Sequence, residues 1–80
     1  MQFTPLQGQY LAYIRTYSVI NRQPPSEADM QRFFGVTAPS VHQMVLTLEK
    51  RGLIARTPGV ARSIRVLARV EELPPLHESR

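Results

Sequence analysis

"FGVTAPSVHQMVLTLEKRGLI", residues 34–54, is the stretch on which the fold turns. Val41, Met44, Val45 and Leu48 recur at the i, i+3, i+4, i+7 spacing of an apolar stripe, which predicts a helix over 38–51 with one buried side. Ala38, Pro39, Ser40, His42, Gln43 and Thr47 lie off that stripe. They are small, uncharged or hydrogen-bonding, whereas a merely solvated face usually carries several Glu and Lys. Thr37 is placed to cap the helix at its start, and Gly52 closes it. The outward side of its first two turns is therefore built to touch something.

Upstream lies the partner of that helix. Ser26 caps a short helix in which Glu27 and Asp29 favour the positive end and Met30, Phe33 and Phe34 supply the buried face. Gly35 ends it, with a positive φ expected. Two helices joined by about three residues with a glycine at the corner make a helix-turn-helix. Before them, Pro24-Pro25 forces extended backbone. Thr4-Pro5-Leu6-Gln7 has the form of a capped helix start, with Gln7 completing a capping box. The first helix is expected from about residue 5 to about residue 20. Leu6, Tyr10, Tyr13, Ile14 and Tyr17 form its apolar face, with Leu11 and Ile20 beside it. Its spacing makes the tyrosines core residues with a polar tip. Gly8 weakens this helix by about 1 kcal/mol relative to Ala.

Downstream, residues 53–56 read as a short strand, Thr57-Pro58-Gly59 as a turn and residues 63–67 as a returning strand. A hairpin of two strands is marginal alone, so it must pack on the helices. Its connection, "TPGVARS", carries Arg62 as its one charged residue and is expected to project outward. Residues 71–80, "EELPPLHESR", read as an acidic, proline-containing tail after a domain over 1–70. The fold class is mainly α with a small β-hairpin: a winged helix-turn-helix of three helices and a two- or three-stranded wing.

The formal net charge of +4 over 80 residues conceals an asymmetry. No acid lies between Glu49 and Glu71, a run that holds Lys50, Arg51, Arg56, Arg62, Arg65 and Arg69. Nine of the ten basic residues are Arg, whose planar fork suits phosphate oxygens and guanine edges. There is no cysteine to form disulfides or thiolate metal ligands, and neither metal nor cofactor is expected. The N-terminus has no signal-peptide pattern and no apolar run reaches spanning length, so a cytoplasmic protein without membrane contact is expected. His42 and His77 have no serine–carboxylate arrangement or ligand spacing around them, so the chain is not read as an enzyme.

In a winged helix-turn-helix the second helix of the turn motif enters the major groove of duplex DNA and its N-terminal residues meet base edges. Gln pairs with adenine, Ser with several bases, and Pro or a Thr methyl touches the thymine methyl. Pro39, Ser40, His42, Gln43 and Thr47 are thus the expected base contacts. Thr37, Lys50, Arg51, Arg56, Arg62 and Arg65 are the expected phosphate contacts. The competing reading is a winged helix used for protein contact without DNA. The acid-free run from Lys50 to Arg69 separates the two, since a protein-contact wing tolerates acids there. Unwinding or RNA binding ranks lower, because no aromatic residue is interleaved with the arginines after Phe34.

Over residues 4–67 the chain resembles the N-terminal DNA-binding domain of LexA-type repressors. The resemblance rests on Thr4 opening the first helix, "PPSEADMQRFFG" at 24–35, "SVH" at 40–42, "LEKRGLIAR" at 48–56 and "SIRVL" at 63–67. It implies a sequence-specific regulator of transcription, a repressor, acting as a homodimer on DNA. Aligned backwards from Gly52, His42 and Gln43 fall on family positions that contact bases, and Ser40 lies near another. The turn before the third helix is one residue shorter than in the family. LexA-type repressors continue into a serine–lysine self-cleaving domain; Lys50, the one lysine here, ends the third helix, so self-cleavage is not expected of these residues.

Overall fold

A computed structural model of the chain describes residues 3–77. Its elements run α1 (Pro5–Asn21), α2 (Glu27–Phe34), α3 (Ala38–Lys50), β1 (Ile54–Ala55), β2 (Arg65–Val66) and a 3₁₀ turn at Val70–Glu72. Each helix starts where capping chemistry places it. The Thr4 and Gln7 side chains exchange hydrogen bonds with each other's backbone N–H groups, and Ser26 and Asp29 do the same for α2. Thr37 Oγ1 accepts from the Ser40 N–H at the start of α3. Gly35 takes the left-handed conformation, φ +66°, that lets the chain turn between α2 and α3 with its N–H bonded to the Gln31 carbonyl.

The core is the meeting of three helical stripes with the wing. Leu11 and Ile14 of α1, Met30 of α2, and Val41, Val45 and Leu48 of α3 are buried against Leu53, Ile54 and Ile64. Aromatic rings join α1 to α2: Tyr10 stacks on Phe34 with centroids 4.0 Å apart, and Tyr13 meets Phe33 at 4.5 Å. Two members of the expected α1 stripe fall outside this core. Leu6 is 54% and Ile20 72% exposed. The buried side of α1 is turned toward Gln7, Gly8, Leu11 and Ala12, leaving Leu6 and the last turn of the helix uncovered.

The expected hairpin is present as an antiparallel pair, Ile54 opposite Val66 and Ala55 opposite Arg65. Its ladder is shorter than the sequence predicts, because side-chain and loop bonds replace it at both ends. Ser63 Oγ accepts from the Thr57 N–H at 2.9 Å, and the Leu67 and Ala68 N–H groups both go to the Leu53 carbonyl.

The described part of the acidic tail lies along α1. Leu73 and Leu76 pack against the core. Gln9 grips the backbone beyond them, its amide donating to the Pro75 carbonyl at 2.9 Å and its oxygen accepting from the His77 N–H at 2.7 Å. This docking accounts for Gly8: a Cβ there would lie 3.0 Å from both Phe3 Cε1 and Pro74 Cγ. The helix-weakening glycine is what lets both ends of the domain close over α1.

Candidate nucleic-acid interface

The face of α3 opposite Val41, Val45 and Leu48 presents Pro39, Ser40, His42 and Gln43 to solvent, with Thr47 half-buried beyond them. Proline at the start of α3 costs no hydrogen bond, since first-turn N–H groups have no helical partner. It also keeps the tip of the helix compact. Ser40 is tied to the cap, its Oγ accepting from Thr37 Oγ1 at 3.0 Å. Thr47 Oγ1 donates back to the Gln43 carbonyl at 2.9 Å, which leaves its methyl as the freer part of the side chain. His42 is held from α2: its Nδ1 lies 3.2 Å from both carboxylate oxygens of Glu27. The five expected base-contact residues are thus gathered on one face.

The expected phosphate-contact residues divide into two groups. Thr37, Lys50, Arg51 and Arg65 are exposed. Arg56 instead turns back onto α3, with Nε 3.1 Å from Glu49 Oε1 and a side chain only 16% exposed.

Arg62 departs furthest from the expectation that its loop projects its charge outward. Its guanidinium turns inward, and Nη1 donates to Asp29 Oδ2 at 2.8 Å, the Tyr17 hydroxyl at 3.0 Å and the Pro24 carbonyl at 3.2 Å. One side chain of the wing loop thereby reaches α1, the Pro24–Pro25 connection and α2. The Arg62 backbone is left-handed, φ +56°, an uncommon conformation for a residue with a Cβ that the three side-chain bonds help to hold.

Asp29 is the hub of this network, accepting from Arg32 as well. Its carboxyl is lowered to a pKa of about 2, first by the Ser26 N–H and then by the side chains of Ser26, Tyr17 and Arg62, against a burial that raises it. A cleft of about 340 Å³ lies between the start of α2, α3 and the wing loop, with Glu27, His42, Arg56, Arg62 and Ser63 on its walls. Among the described residues no three His, Cys, Asp or Glu side chains are grouped to hold a metal ion. No helix among them is long and apolar enough to cross a membrane.

Sequence reasoning missed Glu27 and Asp29 as contributors here, having assigned both to the α2 dipole. A signal for half of Asp29's role was present, in the Ser-x-x-Asp spacing of a capping box. Its pairing with Arg62 spans 33 residues and the Glu27–His42 contact 15, and neither leaves a local trace.

The family model described as the LexA DNA binding domain matches residues 1–63 of this chain. The chain is similar to the LexA repressor of Magnetococcus marinus, 33% identical over 75 residues that make up 94% of this chain and 32% of that protein. It is 35% identical to the LexA repressor of Thermosipho melanesiensis over 90% of this chain and 36% of the relative. With that of Thermosipho africanus it shares 37% identity over 88% and 35%. The chain spans about a third of the length of these curated relatives.

Proposed function

The chain belongs to the LexA DNA-binding domain family, and from that membership we propose that it is the operator-reading module of a transcriptional repressor. It binds duplex DNA with α3 in the major groove and the wing against the backbone. The observation that carries this reading is the exposed, acid-free face of α3, Pro39, Ser40, His42 and Gln43, set beside the exposed cations Lys50 and Arg65. Gln43, with its paired donor and acceptor, fits an adenine edge; Pro39 and the Thr47 methyl suit thymine methyls. Thr37, Lys50, Arg51 and Arg65 take phosphates. Arg56 and Arg62, committed to Glu49 and Asp29, serve DNA by fixing where the wing stands. Two copies on adjacent half-sites give the affinity that one module lacks. The setting for this work is the cytoplasm.

Titration of a fluorescent duplex pool over a range of salt tests the reading. With about three phosphates neutralised per module, by Lys50, Arg51 and Arg65, log K should fall against log salt with a slope of roughly −3. Arg65→Ala should weaken all sequences alike and flatten that slope by about one. Absence of saturable binding at low salt would overturn the reading in favour of a protein-contact module.

A further inference from the structure

Glu27 stands on α2, outside the helix that reads DNA, yet its carboxylate meets the ring of His42 on α3 with both oxygens 3.2 Å from Nδ1. An ionised carboxylate can only accept, so Nδ1 must carry a proton. In the neutral ring this leaves Nε2 with its lone pair, as an acceptor. The His42 side chain is still 53% exposed, so the ring is held by one edge and open at the other.

We propose that Glu27 is a positioning residue for base reading, fixing His42 with Nε2 as an acceptor. His42 then favours a base that offers an exocyclic amino group in the major groove, adenine or cytosine, over guanine or thymine. The proposal rests on the reading of α3 given above and adds what one of its side chains recognises. Adenine N6 and cytosine N4 are the donors of the major-groove edge; guanine O6 and N7 and thymine O4 only accept.

The charges around the ring leave Glu27 as the group that acts on it. On the cleft walls Arg56 is committed to Glu49 and Arg62 to Asp29, while Glu27 alone among these carboxylates touches the imidazole.

Selection of binding sites from random duplexes tests the proposal, with the intact chain and three variants. His42→Ala identifies the position that His42 reads, by losing preference there. At that position the wild type should favour adenine or cytosine about three- to tenfold, the range of one net hydrogen bond. Glu27→Gln, whose amide offers both donor and acceptor, should lose the preference, with melting lowered by at most the few degrees that one first-turn charge contributes. Glu27→Asp keeps the charge at the start of α2 but draws it back by a methylene, and should lose it in part. ¹⁵N spectra of the free protein should show His42 protonated on Nδ1, and on Nε2 in Glu27→Gln. Equal base preference in wild type and Glu27→Gln, or Nε2 protonation in the wild type, would overturn the positioning role and leave α3 as the reading helix. A His42→Ala variant with no altered position would instead overturn the assignment of His42 to the groove, and the proposal with it.

Discussion

Asp29→Asn removes one charge from the point where α1, α2 and the wing meet, and the cost can be worked from the carboxyl's surroundings. Asp29 accepts from the Ser26 N–H at 2.9 Å and from Arg62 at 2.8 Å, and its side chain is 9% exposed. Its pKa is about 2 in the folded chain against an ordinary value of 3.8. One pH unit of difference between folded and unfolded states is worth about 1.4 kcal/mol, so the ionised carboxylate contributes about 2 kcal/mol. A lowered pKa means that this contribution is complete above the unfolded value. It is lost as the pH falls from about 4 through about 2. For a domain of this size 2 kcal/mol corresponds to about 8–16 °C in melting temperature. The assay is urea unfolding followed by far-ultraviolet circular dichroism, on both proteins, from neutral pH down into that range. The variant should be less stable by about 2 kcal/mol at pH 7, and the two curves should converge as the wild type protonates. The remaining carboxylates titrate in both proteins and cancel in the difference. A difference that stays constant into acid would refute the reasoning, since the loss would then come from shape rather than charge.

Gln43→Ala should relax base preference at one or two positions, costing about 1–3 kcal/mol on the preferred site, with melting unchanged. Val45→Ala should do the reverse, lowering stability by about 1–3 kcal/mol through a cavity without changing the sites selected by folded molecules. An early-melting Gln43→Ala with an unchanged selected site would show the two faces of α3 to be wrongly assigned. Gly8→Ala should yield none of the roughly 1 kcal/mol that a helix gains from alanine, because its Cβ meets Phe3 and Pro74 at 3.0 Å. It should instead speed amide exchange at His77, whose N–H is held by Gln9; a melting temperature raised by the full propensity gain would refute the close approach.

What was legible in the sequence is what local chemistry determines. The caps Thr4, Ser26 and Thr37, the corner glycine and the apolar stripe of α3 all follow from bonds spanning three or four residues, and each stands where its spacing placed it. The outward face of α3 was legible by the same periodicity. Leu6 was misassigned because apolar spacing gives a stripe but not its exact rotation, which the neighbouring elements choose. The approach of Pro74 to Gly8 joins positions 66 residues apart, and composition showed there only charge and proline. The direction of Arg62 was hidden for a similar reason. An arginine in a loop between two strands looks solvent-bound until the acid that takes it, from a distant helix, is placed beside it.

That misdirected arginine changes how the basic run works. The run from Lys50 to Arg69 holds no acid of its own, yet acids outside it take up several of its members, among them Arg56, paired with Glu49 at the end of α3, and Arg62, paired with Asp29 on α2. A wing whose cations were all free would carry more charge to the DNA backbone, but a two-stranded hairpin is marginal alone and its loop would have many orientations. Spending Arg62 on Tyr17, Pro24 and Asp29 fixes the loop to both helices behind it, and Arg56 fixes the first strand to the helix that carries the reading face. Arg65 lies on the strand opposite Ala55, one residue before Arg56, so its position relative to Gln43 is set by the same contacts. A module held this way loses less conformational freedom when it docks than one whose wing must be ordered at that moment. On the proposed reading the two internal arginines act on DNA through geometry, and loosening either should weaken specific binding more than non-specific binding, which needs charge but no fixed register.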